Sequence, residues 1–271
     1  MTDGFNRRSV TRRQYLQCAT GLVLAAGSVA RAQGPSGLRV GFIANYEPFS
    51  FMGPDGRLTG FDVEVVGALL TALGHPFQVQ LGAYEDLREQ LRKGQLDLLG
   101  NQLLQVPENR AWFDFVRPYA SIQLCCIQHE DDERDFLSLD DFVGKRLGLL
   151  RHSGMEAQAR DALGRVVVGY DRIEQAMQAL SQKKIDAVLE ENLIADYHIE
   201  RHGLPLKVGA PFTAPQKLGM VVAKGRQSLQ ASLSEGVRSL VRQPQFRQIS
   251  GRWFGYDVSQ PRYSHVTAEN G

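Results

Sequence analysis

The sequence uses one pattern twice, as YEDLREQLRKGQLDLLG at residues 84–100 and as YDRIEQAMQALSQKKIDAVLE at residues 170–190. Each copy begins with an aromatic residue and an acid, continues through a helical stretch and a polar turn, and ends in a short apolar strand. The two copies differ too much to be a sequence repeat. The same helix–strand unit in two places nevertheless favours two similar lobes over a single sheet.

Strand-like and helix-like segments alternate on both sides of these units. LRVGFI at residues 38–43 predicts a strand, and FDVEVVGALLTALG at 61–74 has apolar residues at helical spacing and ends at a glycine. LGMVVAKG at 218–225 predicts a further strand, and the stretch 229–254 is mostly helical in pattern. Such an alternation with short loops indicates open α/β sheets, in which ligands bind beyond the carboxyl ends of the strands.

The first 32 residues have the layout of an export signal. Two arginine pairs, at 7–8 and 12–13, precede a short apolar stretch, and Ala30-Arg31-Ala32 fits the small-x-small pattern of a cleavage site. TRRQYLQ at residues 11–17 resembles a twin-arginine signal. We therefore predict a twin-arginine-like signal peptide over residues 1–32 and a periplasmic mature chain.

The charge and cysteine content of the remaining chain exclude several classes of protein. The leader holds five of the 31 basic and one of the 30 acidic residues, so 26 basic and 29 acidic residues remain, a net charge of −3. This offers no footprint for nucleic acid, and no apolar run after the leader reaches 18 residues, so we expect no membrane-embedded segment. Cys125 and Cys126 are adjacent and read as buried strand residues. We expect no metal and no cofactor.

Several short motifs, taken in order, resemble the family-3 extracellular solute-binding proteins that serve polar amino-acid ABC importers. Residues 38–74 are similar to the family's first strand, aromatic ligand loop and G-F-D-x-(D/E) helix. LRKGQLDLLG at 91–100, WFDFVRPYA at 112–120 and RWFG at 252–255 match further motifs, and the likeness covers nearly all of 38–255. The resemblance implies a two-lobed periplasmic-binding-protein fold of type II, with two open α/β sheets joined by a two-strand hinge that closes on a ligand.

The resemblance also implies limits for the lobes and a function. Lobe 1 would comprise residues 38–121 plus 216–271, and lobe 2 residues 122–215. The implied function is that of a periplasmic substrate-binding protein, which captures a small polar solute, an amino acid or a derivative, by lobe closure. Its partners would be that solute and an ABC permease in the inner membrane, the family default is a monomer, and no catalysis is expected.

The same resemblance assigns candidate ligand-binding residues. Tyr46, Phe49 and Phe51 stand in the aromatic loop, where rings bracket a ligand in the family. Glu191 takes the place of the acid that commonly binds the ligand ammonium group. On the second lobe, Arg151-His152-Ser153 opens a helix where hydroxyl and backbone N–H groups would meet a carboxylate; a helix N-terminus favours anions.

The segment before Asp114 departs from the family pattern G-x-T-x-T-x-x-R. Counting back from Asp114 and forward from Asp97 gives the same answer, in which the four patterned positions are held by Gln102, Leu104, Val106 and Asn109. Arg110 lies one residue late, and one helical residue is a rotation of about 100°. Arg110 stays a candidate, but we expect it at the surface, and the apolar wall is poorly suited to a carboxylate.

Two other functions remain open from the sequence. One is an enzyme on the same scaffold, resembling cyclohexadienyl dehydratases, with Glu191 or His152 as the general acid that such chemistry needs. Its substrates carry carboxylates, so the missing arginine counts against it. The other is an accessory or sensor partner whose cleft has lost ligand binding, against which the retained aromatic loop and Glu191 count.

Overall fold

A computed structural model describes residues 37–260 and residue 262; the predicted signal peptide lies outside the described residues. The strands are β1 (Leu38–Ile43), β2 (Asn45–Tyr46), β3 (Ser50–Met52), β4 (Leu58–Thr59), β5 (Phe77–Gly82), β6 (Leu98–Leu104), β7 (Phe113–Phe115), β8 (Ala120–Ile122), β9 (Leu124–His129), β10 (Leu147–Leu150), β11 (Val167–Tyr170), β12 (Ala187–Glu191), β13 (Leu206–Pro211) and β14 (Gln216–Ala223). The helices are α1 (Phe61–Ala72), α2 (Tyr84–Arg92), α3 (Pro107–Trp112), α4 (Gly154–Leu163), α5 (Ile173–Ser181), α6 (Asn192–His202), α7 (Gln227–Leu240) and α8 (Pro244–Phe254).

The first large sheet has the strand order β5-β1-β6-β14-β7, with β8 also pairing with β14. Strands β5, β1 and β6 are parallel, whereas β14 runs antiparallel to β6, β7 and β8. Helices α1, α7 and α8 cover one face, where Phe61, Leu69 and Phe246 lie in a core that is almost fully excluded from solvent. Leu87 and Leu91 of α2 cover the other face.

The second sheet has the order β11-β10-β12-β9-β13. Strands β11, β10 and β12 are parallel, and β9 is antiparallel to β12 and β13. The two units that share a sequence pattern therefore place equivalent strands, β6 and β12, in different sheets, as a two-lobed α/β fold requires. Cys125 and Cys126 are fully buried on β9 and form no disulfide, in keeping with the reading of both as buried strand residues.

The chain crosses between the sheets twice, and the two crossings are hydrogen-bonded to each other. It passes from β8 to β9 at Gln123 and returns between β13 and β14. The backbone N–H of Leu124 donates to Thr213 Oγ1 at 3.0 Å, and the Phe212 N–H donates to the Leu124 carbonyl at 2.7 Å. The lobe limits at 121/122 and 215/216 stay a prediction.

A small three-stranded sheet, β2-β3-β4, carries the aromatic loop at the carboxyl end of β1. Gly60 joins it to α1 with φ of 136°, and a Cβ there would collide with the Phe49 carbonyl group. Only glycine fits this close approach in this conformation. No helix in residues 37–260 is both long and apolar enough to span a membrane.

Candidate functional site

The aromatic loop presents Tyr46 beside a buried ring. Tyr46 is half-buried, and its ring centroid lies 4.9 Å from that of Phe49, which is 1% exposed and belongs to the core of the first lobe. Phe51 is half-buried and meets the Trp253 ring edge-on at 5.9 Å. Tyr46 is therefore the residue of the three best placed to meet a ligand, with Phe49 packed behind it.

Helix α1 holds this loop in place through its N-terminal N–H groups. The Phe61 N–H donates to the Pro48 carbonyl at 2.9 Å, and the Asp62 N–H donates to the Phe49 carbonyl at 3.0 Å. The Ser50 hydroxyl donates to the Ile43 carbonyl at 2.6 Å. Because N–H groups at a helix start lack partners within the helix, these bonds satisfy the helix and fix the loop together.

A buried carboxyl group, Asp62, lies directly behind the loop. Asp62 Oδ1 accepts from the Tyr119 hydroxyl at 2.7 Å, and Oδ2 accepts from the Gln102 N–H at 3.0 Å and from Asn101 Nδ2 at 3.3 Å. Burial raises its pKa to about 7, although the hydrogen bonds oppose that rise. Asp62 thus connects the loop to the carboxyl end of β6.

The side chain of Gln102 is the unusual polar group of this region. It is 5% exposed and close enough to Asp62 to lower the pKa of that carboxyl group, yet within the described part of the chain neither its Oε1 nor its Nε2 makes a hydrogen bond of good geometry. A buried amide without partners is costly, and native structures contain few of them. The Gln102 amide can therefore form hydrogen bonds with a group other than the described residues.

Two carboxyl groups approach the loop from the second lobe. Glu190 and Glu191 end β12, both are half-buried, and burial raises the pKa of each to about 7. Burial also raises the pKa of Tyr46, and Glu191, Asp62 and Glu190 raise it further through their charges. The charges of both glutamates therefore act on Tyr46, although they belong to different sheets.

Direct contacts across that gap involve α6. The Tyr197 hydroxyl donates to Glu47 Oε1 at 2.5 Å, next to the aromatic loop. The Tyr256 hydroxyl, just after α8, donates to Asp196 Oδ2 at 2.8 Å and accepts from Asn192 Nδ2 at 3.2 Å. These bonds tie the helix that follows Glu191 to the first lobe.

The segment that departs from the family pattern folds back on itself. Asn109 Nδ2 donates to the Leu104 carbonyl at 2.9 Å, which fixes the turn between β6 and α3. Arg110 is exposed, donates from Nη2 to Gln105 Oε1 at 2.7 Å, and lies over the Phe115 ring. Both side chains are engaged within this segment, and Leu104 packs against the first core.

The helix start on the second lobe is likewise occupied by local bonds. Ser153 caps α4, because its Oγ accepts from the Glu156 N–H at 3.1 Å and donates to the Leu150 carbonyl at 2.8 Å. The His152 N–H donates to Glu156 Oε2 at 2.7 Å, and the His152 side chain is exposed. Arg151 is exposed and pairs with Asp171 at 3.0 Å.

The structure places Tyr46 against Phe49, within reach of the charge of Glu191, and it places Gln102 beside Asp62. Arg110 and Arg151 form contacts of their own. Sequence reasoning missed Asp62 and Glu190. Asp62 stands in the G-F-D motif, which signals a position but not burial. Glu190 directly precedes Glu191 on a strand, where alternation alone would place the two on opposite faces.

Comparison with known proteins agrees with this architecture. The family described as bacterial extracellular solute-binding proteins, family 3, matches residues 38–256. The L-cystine-binding protein TcyJ of Escherichia coli K12 is 27% identical over 259 residues, covering 92% of this chain and 97% of its own. The L-arginine-binding protein of Pseudomonas aeruginosa is 26% identical, with 82% of this chain and 89% of the relative covered.

A solved structure shows the same fold. The L-cystine solute receptor of Neisseria gonorrhoeae, in its unliganded open conformation, aligns with a TM-score of 0.72 and 26% identity, covering 85% of this chain and 98% of the receptor. Two α/β lobes joined by two crossings are the architecture of a periplasmic solute-binding protein. The chain belongs to family 3 of the bacterial extracellular solute-binding proteins.

Proposed function

We propose that this chain is the periplasmic substrate-binding protein of an ABC importer, and that it captures a small polar solute between its lobes. The observation that supports it is that the charges of Glu190 and Glu191, on the second lobe, act on Tyr46 of the first lobe, and that the buried Gln102 amide lies beside Asp62. Clefts with aromatic walls and a few convergent polar groups are typical small-molecule sites.

The residues assigned to the site divide into two groups under this proposal. Tyr46, Gln102 and Glu191 contact the solute, and Phe49 and Phe51 support the aromatic wall from behind. Leu104 and Asn109 shape the neighbouring wall, because Asn109 holds the Leu104 carbonyl. Arg151, His152 and Ser153 border the cleft at the start of α4, and Arg110 has a surface role.

Lobe closure would proceed by rotation at the two crossings near Gln123 and Thr213. The proposed lobes are residues 38–121 plus 216–271, and 122–215. Delivery would be to a permease in the inner membrane, consistent with the relatives that bind amino acids for import. The binding step itself requires no covalent chemistry, no metal and no cofactor.

The binding experiment is a thermal-shift and titration panel of amino acids, amines, hydroxy acids and sugars on the purified chain. A ligand that binds only the folded state raises the unfolding midpoint, and the shift grows with the logarithm of the ligand concentration above Kd. We expect at least one small polar solute to shift the midpoint, and we expect Tyr46→Ala to abolish the shift. The proposal fails if no solute binds and the purified protein carries none.

The dehydratase alternative is tested in the same preparation. Such substrates carry carboxylates, and the two candidate arginines, Arg110 and Arg151, are exposed and bonded to Gln105 and Asp171. We expect prephenate to be stable in the presence of the protein, as followed by phenylpyruvate absorbance. Enzyme-dependent phenylpyruvate formation would replace the binding proposal by a catalytic one.

A further inference from the structure

The charged groups that act on Tyr46 and on Glu190 are all acidic. The groups that shift the pKa of Glu190 and Glu191 are burial, the Glu191 backbone N–H and the neighbouring carboxylate, and those that shift the pKa of Tyr46 are burial and three carboxylates. Within the described part of the chain, no lysine or arginine contributes to any of these three shifts. A buried group of carboxylates without a counter-ion is unfavourable once the groups ionise.

Three basic side chains that could neutralise these carboxylates lie elsewhere or form other contacts. Arg110 is bonded to the side chain and the carbonyl of Gln105, at 2.7 and 3.2 Å, and Arg151 is paired with Asp171. Lys217 on β14 is exposed and alternates with Leu218, which faces the first core, so it lies on the opposite face of that sheet. None of these three basic side chains is placed to neutralise the carboxylates when they ionise, and a cationic ligand would do so.

The wall that would meet a ligand carboxylate lacks charged donors. Leu104 and Val106 have apolar side chains, and the Asn109 amide is bonded to the Leu104 carbonyl. The first turn of α4 already holds a carboxylate of the chain, because Glu156 accepts from the His152 N–H. A carboxylate on the ligand would lose its hydration here without gaining a cation.

One further group points to a ligand independently of the acids. Gln102 is 5% exposed, its amide is unpartnered, and its own N–H is bonded to Asp62, so it lies beside the acidic end of the cleft. Its Oε1 can accept from an ammonium or guanidinium group, and its Nε2 can donate to a hydroxyl or amide oxygen. Tyr46 supplies a ring face suited to an organic cation.

We infer that the cleft binds an organic cation that carries no carboxylate, such as an alkylamine or alkylguanidine, with its charged end between Tyr46, Gln102 and the Glu190–Glu191 pair. The inference rests on the proposed solute-binding function and narrows its ligand. It separates this chain from relatives named for cystine and arginine, both of which are amino acids.

Isothermal titration with matched pairs tests the inference. Agmatine is arginine without its carboxylate, and cadaverine is lysine without its carboxylate, so each pair isolates that one group. We expect at least one amine to bind with a Kd about ten-fold or more below that of its amino acid, in line with the strength of an uncompensated charged contact.

A substitution pair tests the role of the acid. Glu191→Gln should weaken amine binding about ten-fold or more, whereas Glu133→Gln, the same change at an exposed site away from the cleft, should leave it unchanged. Thermal unfolding at pH 5, where Glu191 is protonated, should give equal midpoints for wild type and Glu191→Gln and so verify folding. Equal binding loss in both variants would overturn the inference.

Proton linkage gives a second readout. The titratable groups near Glu191 are Glu190, beside it on β12, and Tyr46 of the first lobe, on which Asp62 also acts. Cys125 on β9 pairs with Glu190. Of these, the three carboxyl groups titrate near pH 7, so a bound cation should drive protons off them. Amine affinity should rise from pH 6 to pH 8, and a flat profile would contradict the inference.

The possible results distinguish a failure of this inference from a failure of the proposed solute-binding function. If an amino acid binds as tightly as its amine, this inference fails and the solute-binding function stands. If no amine, amino acid or other solute binds, and none is retained on purification, both fail.

Discussion

At the scale of single residues, three carboxyl groups determine the charge of the candidate cleft. Asp62, Glu190 and Glu191 are withdrawn from water, and the pKa of each rises to about 7. Asp62 comes from α1 and the two glutamates from β12, so their combined effect arises only when the two lobes are in place. Their protonation should be visible in stability as well as in binding.

The stability of the ligand-free protein should fall as pH rises through neutrality. A carboxyl group whose pKa is about 7 in the fold and 4.5 in the unfolded chain binds more protons when folded between these values. Its contribution is therefore full below about pH 4.5 and lost as pH rises through about 7. Urea unfolding of wild type and Glu191→Gln should show the variant gaining about 1–3 kcal/mol relative to wild type between pH 5 and pH 8.

The comparison with the variant is needed because His198 acts in the opposite direction. Burial lowers the pKa of His198, so its contribution grows as pH rises from acid. Subtracting the two profiles removes it, as His198 is present in both proteins. A difference that stays constant from pH 5 to pH 8 would contradict the raised pKa of Glu191.

Asn109 and Arg110 provide a second test at this scale. Asn109→Ala removes the bond to the Leu104 carbonyl and should loosen the wall at the end of β6, whereas Arg110→Ala removes only exposed contacts. We expect Asn109→Ala to weaken solute binding several-fold more than Arg110→Ala, measured by titration. The reverse ranking would mean that the arginine has moved into the site.

Part of this candidate site could be predicted from the sequence. Tyr46 and Glu191 follow from short motifs whose order is informative. The bond between Asp62 and Tyr119 joins residues 57 positions apart, and the unpartnered state of Gln102 depends on everything around it. Burial and hydrogen-bond satisfaction are properties of packing, so no local pattern could have indicated them.

Among the elements, the junction between the aromatic loop and α1 is the most constrained. Gly60 has φ of 136°, and a Cβ would meet the Phe49 backbone. Gly67, inside α1, has open space at the same position and an ordinary helical backbone. The two glycines therefore form a matched pair for the same substitution.

Gly60→Ala should destabilise the protein by about 3 kcal/mol, since it combines backbone strain with a collision. Gly67→Ala should be neutral or stabilise by about 0.5–1 kcal/mol, because alanine is the better helix former. Urea denaturation of both variants checks the ranking. Equal changes in the free energy of unfolding for the two variants would mean that the Phe49 backbone does not exclude a Cβ at position 60.

The long elements were predictable and the short ones were not. LRVGFI is a strand over Leu38–Ile43 as its pattern indicates, and the helix predicted from Phe61 begins at that residue and runs to Ala72, with Gly74 in the left-handed region. Strands β2, β3 and β4 have two or three residues each, too few for any periodicity. They form because the loop doubles back, which is a tertiary effect.

For the whole molecule, two large sheets are joined by two crossings, and we propose that the lobes close on a solute by rotation there. The repeated helix–strand unit favoured two lobes, and the strand orders place its two strands in separate sheets. A saturating solute should reduce the radius of gyration in small-angle X-ray scattering, because closure brings the lobes together. Tyr46→Ala at the same solute concentration should keep the larger radius, and an unchanged radius in the wild type would argue against closure.

Under the proposed function, one small solute is held between Tyr46 and Glu191. Native mass spectrometry of the protein, purified gently from the host that exports it, measures this directly. We predict a species heavier than the bare chain by one small molecule, absent from a Tyr46→Ala/Glu191→Gln double variant prepared in the same way. A bare chain that also gains no mass with any solute of the panel, or a bound mass that persists in the double variant, would contradict the claim.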